Sequence, residues 1–294
     1  MRITNSMLAG TTLRNLNITV ERLDKLQDQL TSGQKIGAPS DDPIGTAASL
    51  EFRTTLGELE QYVKNAEAAT SWLDATDAAL DTITQVLQRA RDLGTQGASD
   101  TTALSDKQAM ANEVSQLIDQ AIALGNSKYA GQSLFAGVKV NTTPFSAVGN
   151  PPASVTYSGD SVAIARQINS RSSVTVNIPG DTALGQVFSA VIALRDALTS
   201  GSSTSVSSTL ADVDSAMDSV ISVRSQVGAR MNRVGSEKER LESLKLNIAG
   251  LLSKVQDVDM TEAISAFAVQ QNVYQAALAA GAKAILPSLL DYLK

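Results

Sequence analysis

The sequence predicts a mainly α fold: an elongated antiparallel helical bundle or coiled coil carrying a small β-rich insert. Three observations predict it. Two proline-free intervals, 44–143 and 180–286, flank a stretch that holds four of the seven prolines. Within those intervals apolar residues recur every three, four or seven positions, as on one face of a helix. The apolar residues, 43% of the chain, are mainly Leu, Val, Ile and Ala with few aromatics, which suits helices packed ridge into groove.

The first helix is expected over roughly 5–33, where Leu16, Val20, Leu23, Leu26 and Leu30 repeat at three and four residues before Gly33 and Gly37. Asp42 is placed to cap a second helix, with Pro43 at the first helical position, where its missing N–H costs nothing. That helix runs to about Leu93, and Phe52, Leu59, Ala66, Leu73, Leu80 and Leu87 mark a seven-residue repeat along it. Ser105 and Gln108 have capping-box spacing for a third helix that Gly125 closes. From about 129 to 180, Gly, Pro, Ser, Thr and Asn become common. Residues 154–158, 162–168 and 173–178 read there as strands.

Helix resumes near Asp181 and ends at Gly201, and the Ser-rich segment after it reads as a loop. The last long helix carries Val213, Val220, Val227, Val234, Leu241, Ile248 and Val255 at an unbroken spacing of seven, a seam of roughly 65 Å. It matches the 45–93 helix in length. The two are expected to pair antiparallel within one chain, with the insert at the far end.

Residues 260–290 are different: apolar side chains lie nearly all round the helix, with Glu262 and Lys283 as the only charges. Such a helix must be buried on several sides. The N-terminal helix can cover one side, and other copies or other proteins are expected to cover the rest. The expected assembly residues are Leu16, Val20, Leu23, Leu30, Ile264, Val269, Val273, Leu278, Ile285 and Leu289. Order in these ends is expected to be coupled to polymerisation.

No catalytic constellation is present. The chain has no Cys and no His, which removes thiol and imidazole chemistry and the usual zinc sites. Ser133 lacks the spacing of a nucleophile elbow. Asp41 and Asp42 read as helix-capping carboxylates. Asp257, Asp259 and Glu262 lack the glycine and further ligands of a calcium loop and read as a polar break between helices. Asn141-Thr142-Thr143 matches a glycosylation sequon. No metal or cofactor is expected. With net charge −6 and no concentrated basic face, nucleic acid is not an expected partner. No apolar h-region opens the chain and no run reaches about 18 apolar residues, so neither a cleaved signal nor a membrane partner is expected.

These residues resemble a known family. The opening segment with Leu30-Thr31-Ser32-Gly33 and Ser40-Asp41-Asp42-Pro43 is similar to the start of bacterial flagellins and hook-associated proteins. So are Tyr129–Gly137 (YAGQSLFAG), Pro144-Phe145, Tyr157-Ser158-Gly159-Asp160 and the ending Leu286–Lys294. Pro43 and the Asp291-Tyr292-Leu293 ending favour the hook–filament junction branch. The resemblance implies an extracellular structural subunit, exported unfolded through the growing flagellum and assembled as a ring. Implied partners are other copies of itself, the other hook–filament junction protein, flagellin, and an export chaperone at the C-terminal region. It further implies inner-tube segments at 1–43 and 258–294, a rod domain at 44–128 and 181–257, and an outward insert at 129–180. A short flagellin and a secreted tip or translocon protein of an injection system remain open alternatives.

Overall fold

In the computed structural model of this 294-residue chain, the backbone is described for residues 5–285 and side chains for Met7 and 10–282. The described elements are helices α1 (Asn5–Ser32), α2 (Pro43–Gly97), α3 (Leu104–Gly125), α4 (Gly180–Ser200), α5 (Ser203–Gln256) and α6 (Met260–Ile285). Six short strands lie between α3 and α4: β1 (Lys128–Tyr129), β2 (Gln132–Ser133), β3 (Phe145–Val148), β4 (Ser154–Tyr157), β5 (Ala165–Asn169) and β6 (Ser172–Thr175). The chain divides into two compact units, one from Leu59 to Ser243 and one built from the two ends, up to Glu58 and from Leu244. Both boundaries fall inside long helices, α2 and α5.

The central unit has its own core. Its parts of α2 and α5 run antiparallel, as the ion pairs Arg91–Asp214 (2.6 Å), Arg224–Asp77 (3.0 Å) and Lys238–Glu67 (3.0 Å) establish. The seven-residue stripes on these helices are buried: Leu59, Leu73, Leu80 and Leu87 on α2, and Val220, Val227, Val234 and Leu241 on α5. Each such aliphatic side chain contributes about 1.5–3 kcal/mol on leaving water. The stripe residues in the end unit, Phe52, Ile248 and Val255, are only half-buried.

The insert forms three separate antiparallel hairpins: β1–β2, β3–β4 and β5–β6. Residues 162–164, expected as part of a strand, are held otherwise. The Ile164 carbonyl still accepts from the Val176 N–H (2.9 Å), but its N–H donates to the Asn177 side-chain oxygen (2.7 Å) and the Asn177 amide donates to the Val162 carbonyl (2.9 Å), so a side chain rather than a strand partners these groups. Nor does the insert sit at the far end of the long pair. Helix α3 turns back along α2, joined by Arg89–Glu113 (2.7 Å), and returns the chain toward the Leu59/Ser243 end of this unit. There β5–β6 is fastened by Asn65 to the Gln167 carbonyl (2.9 Å), Arg233 to Ser172 (2.7 Å) and Asn169 to Glu237 (2.8 Å).

Two further sequence expectations are corrected. Ala103, not a serine, occupies the cap of α3 without a side-chain bond, because α3 begins two residues earlier than the capping-box spacing requires. The Ser-rich segment is helical from Ser203, since Ser202 caps the turn toward Ser205 (3.3 Å) and the fully buried Val206 anchors it. The buried Lys107 donates to the Gly201 carbonyl (3.1 Å) and Ser203 Oγ (2.7 Å), joining α4 to α5.

The segments Tyr129–Gly137 and Tyr157–Asp160 meet in space. Ala130 (φ 49°) and Gly131 (φ 81°) make the two-residue turn of β1–β2, where both positions need positive φ. The chain then buries Leu134 and Phe135 and turns at Gly137 (φ 68°), where any Cβ would collide with Asp160. Tyr157 Oη lies 2.9 Å from the carbonyl oxygens of both Phe135 and Asp160. One Asp160 carboxylate oxygen accepts from the N–H groups of Val138 (2.9 Å) and Val162 (3.1 Å). Phe145 fills the centre against Tyr157 and Phe188, at ring separations of 5.2 and 4.9 Å. These motifs therefore fold the insert onto the helices. Ser133 belongs to the same knot: its buried hydroxyl donates to the Thr142 carbonyl at 2.7 Å.

This packing predicts that Gly137→Ala destabilises the central unit by about 2 kcal/mol or more, through backbone strain and the clash with Asp160. Leu80→Ala is expected to cost about 2–5 kcal/mol, and Ile221→Ala, half exposed on α5, less than about 0.5 kcal/mol. Urea unfolding followed by the emission of the single, buried Trp72 measures all three.

Candidate assembly surface

The end unit is organised by α1 and α6, which lie against each other antiparallel. Thr12 stands opposite Gly281, where a Cβ would come within 3.1 Å of the threonine methyl. Further along, Gln270 Nε2 donates to the Thr19 carbonyl (3.3 Å). Past the end of α1 the two chain segments form a short bridge: the Lys35 N–H donates to the Gln256 carbonyl (2.7 Å) and the Val258 N–H to the Gly33 carbonyl (3.0 Å). Gly33, at φ 70°, supplies the left-handed residue that stops α1.

The polar residues at this junction terminate and restart helices. Asp259 Oδ1 accepts from the N–H groups of Thr261 (2.9 Å) and Glu262 (3.2 Å), capping α6. Asp42 Oδ1 accepts from the Gly45 N–H (2.9 Å) and caps α2 ahead of Pro43. Asp41, expected to share that task, instead binds Lys25 Nζ (2.7 Å) and the Ala38 N–H (3.1 Å), tying the connecting loop to α1. The Lys25 ammonium, aided by the Ala38 N–H, holds the Asp41 carboxyl below its ordinary pKa. Among the described residues no group of acidic side chains could hold a metal ion. No described helix is long and apolar enough to cross a membrane.

The expected assembly residues separate into two sets. Leu16, Leu23 and Leu30 are half-buried, as are Phe267, Tyr274 and Ala277 on α6, while Ala263 is buried. The helix pair itself thus occupies Leu16, Leu23 and Leu30. By contrast Val20, Ile264, Val269, Val273 and Leu278 are exposed, Val269 by 62% and Ile264 by 56%. The side chain of Ile285, and Leu289 altogether, lie outside the described residues. Leu13 and Ile18 are exposed as well. Ile18 falls outside the three- and four-residue repeat by which the first helix was read, whereas Leu13, three residues before Leu16, extends that repeat and could have been found from it. Ile44, Leu50, Leu246 and Leu251 are further exposed apolar residues of this unit, on α2 and α5.

The pattern of the bacterial flagellin N-terminal helical region matches residues 3–140, and that of the C-terminal helical region matches residues 210–293, together most of the chain. Flagellar hook-associated protein 3 of Escherichia coli is 24% identical, over 94% of both chains. A flagellin of Bacillus subtilis is 28% identical, over 97% of this chain and 96% of its own. Among solved structures, that of a putative flagellar hook-associated protein from Vibrio parahaemolyticus superposes with a TM-score of 0.65, at 20% identity, over 74% of this chain and all of its own.

Because Asp41 has a lowered carboxyl pKa, its tether is present above the ordinary carboxylate range and is lost as pH falls through the lowered value. Amide hydrogen exchange by NMR checks this. Asp41→Asn is expected to speed exchange at Ala38 near neutral pH, and the native chain to match the variant only in acid.

Proposed function

The chain belongs to the bacterial flagellin family, and we propose that it is a structural subunit of the flagellum that joins hook to filament. The observation that carries this reading is the surplus apolar surface of the paired terminal helices. Leu16, Leu23 and Leu30 are used within the chain, while Val20, Ile264, Val269, Val273 and Leu278 face solvent. Exposed aliphatic side chains on more than one side of a helix pair mark a contact site. In the proposed assembly, residues 1–43 and 258–294 pack with those of neighbouring copies to wall an inner tube. Residues 44–128 and 181–257 form the surrounding rod layer, and 129–180 lies on its outer side. The ring would contact the other junction protein on one side and flagellin on the other. A chaperone holding the C-terminal region before extracellular export would keep the same apolar face from aggregating.

A short flagellin is the second reading, favoured by the full-length similarity to the Bacillus subtilis flagellin. The junction reading draws on the full-length similarity to hook-associated protein 3. It also draws on Pro43 at the start of α2 and on the Tyr129–Gly137 knot.

Deleting the gene separates the two. A junction subunit predicts hooks without filaments and flagellin released into the medium. Loss of the major filament protein itself would make this chain the flagellin. On the deletion background, Ile264→Asp with Val269→Asp is expected to leave the melting temperature of the purified monomer nearly unchanged, because both sites are exposed. The same variant is expected to abolish swimming. Restored motility would remove these two side chains from the assembly contact.

A further inference from the structure

The central unit contains a cavity of about 300 Å³ that the assembly reading does not use. It is lined by Trp72 of α2, Gln132 of β2, Val138, Val140 and Ile164 of the connecting segments, and Arg166 and Val176 of the β5–β6 region. Four of the seven lining residues are aliphatic. Two of the polar ones carry buried donors without a hydrogen-bond partner, the Trp72 indole N–H and the Arg166 Nε–H. A buried donor left unpaired costs on the order of 1–3 kcal/mol, more when it is charged. Trp72 is only 3% exposed, and the Tyr129 ring stands edge-on to it at 6.1 Å. Val138 lies exposed at the rim of the cavity, held there by its bond to Asp160.

Both unpaired groups are donors and one is cationic, so the complementary ligand offers acceptors and negative charge. The aliphatic lining asks for an apolar body beside them. We propose that this cavity binds a small aliphatic carboxylate, its head accepting from Arg166 and Trp72 and its tail lying among Val140, Ile164 and Val176. An alcohol of the same length would keep the tail contacts and lose the charge-assisted bond to Arg166.

Trp72 is the only tryptophan in the chain and lines the cavity, so its emission reports occupancy directly. The probes are sodium hexanoate, 1-hexanol and sodium acetate, titrated into the purified full-length chain. Hexanoate is expected to give a saturable change in Trp72 emission, with half-saturation about tenfold lower than for hexanol. Acetate, lacking the tail, is expected to bind more weakly than either. In Arg166→Gln, with the fold checked by circular dichroism melting, the advantage of hexanoate over hexanol is expected to vanish. Should that variant not fold, Val138→Phe at the exposed rim must weaken hexanoate binding. A response to hexanoate that is absent or does not saturate would overturn the assignment. So would an advantage over hexanol that persists in Arg166→Gln, or hexanoate binding unchanged in Val138→Phe.

Discussion

A helix that is apolar on several sides cannot be satisfied by a single antiparallel partner. Pairing hides one stripe and leaves the remainder in water. In α6 the pairing with α1 withdraws Ala263, Phe267, Tyr274 and Ala277, whereas Ile264, Val269, Val273 and Leu278 stay exposed. By the usual area relation, each of these roughly half-exposed aliphatic side chains forgoes about 1 kcal/mol of burial. That energy is recovered only when another surface covers the pair. In the proposed assembly this distribution of apolar residues around the two helices supplies the driving force, and the other features of the end unit hold the pair in register. The Gly33 turn, the bridge from Lys35 to Gln256 and the Asp259 cap fix where α1 stops and α6 starts.

The central unit obeys the opposite rule. Its stripes at Leu73, Leu80, Val220 and Val227 are fully buried within one chain, and its insert is bonded to the same helices through Asn65, Arg233 and Glu237. Arg240 and Asn169 hold the Glu237 carboxyl below its ordinary pKa, so the contribution of this link is present above the carboxylate range and fades as the medium turns acid. One chain thus contains a part whose apolar stripes are buried within it and a part that leaves apolar side chains exposed.

Much of this was legible in the sequence because helix signals are periodic and local. The seven-residue repeats identified the buried stripes and Asp42-Pro43 the start of α2, and the nearly all-round apolar composition of 260–290 is what led to the expectation of partners there. Three things were not legible. The division of the terminal residues into an inward set, Leu16, Leu23 and Leu30, and an outward set depends on which face α6 covers, and spacing within α1 does not reveal that. The Ser-rich start of α5 was obscured because helix there is set by the buried Val206 and the Ser202 cap, both tertiary or terminal effects that override weak propensity. The β1–β2 and β3–β4 hairpins were hard to delimit because their strands are two to four residues long. They are fixed by side chain-to-backbone bonds such as those of Asn126 with Phe145, at 2.8 Å in each direction.

The central claim is that the terminal helices complete their burial in the assembly and the central unit does not need it. Hydrogen exchange compared between the purified monomer and the assembled flagellum tests this most directly. The account predicts strongly increased protection along α1 and α6 on assembly, with the buried stripes of residues 59–243 already protected in the monomer. Equal protection of α1 and α6 in both states would contradict it.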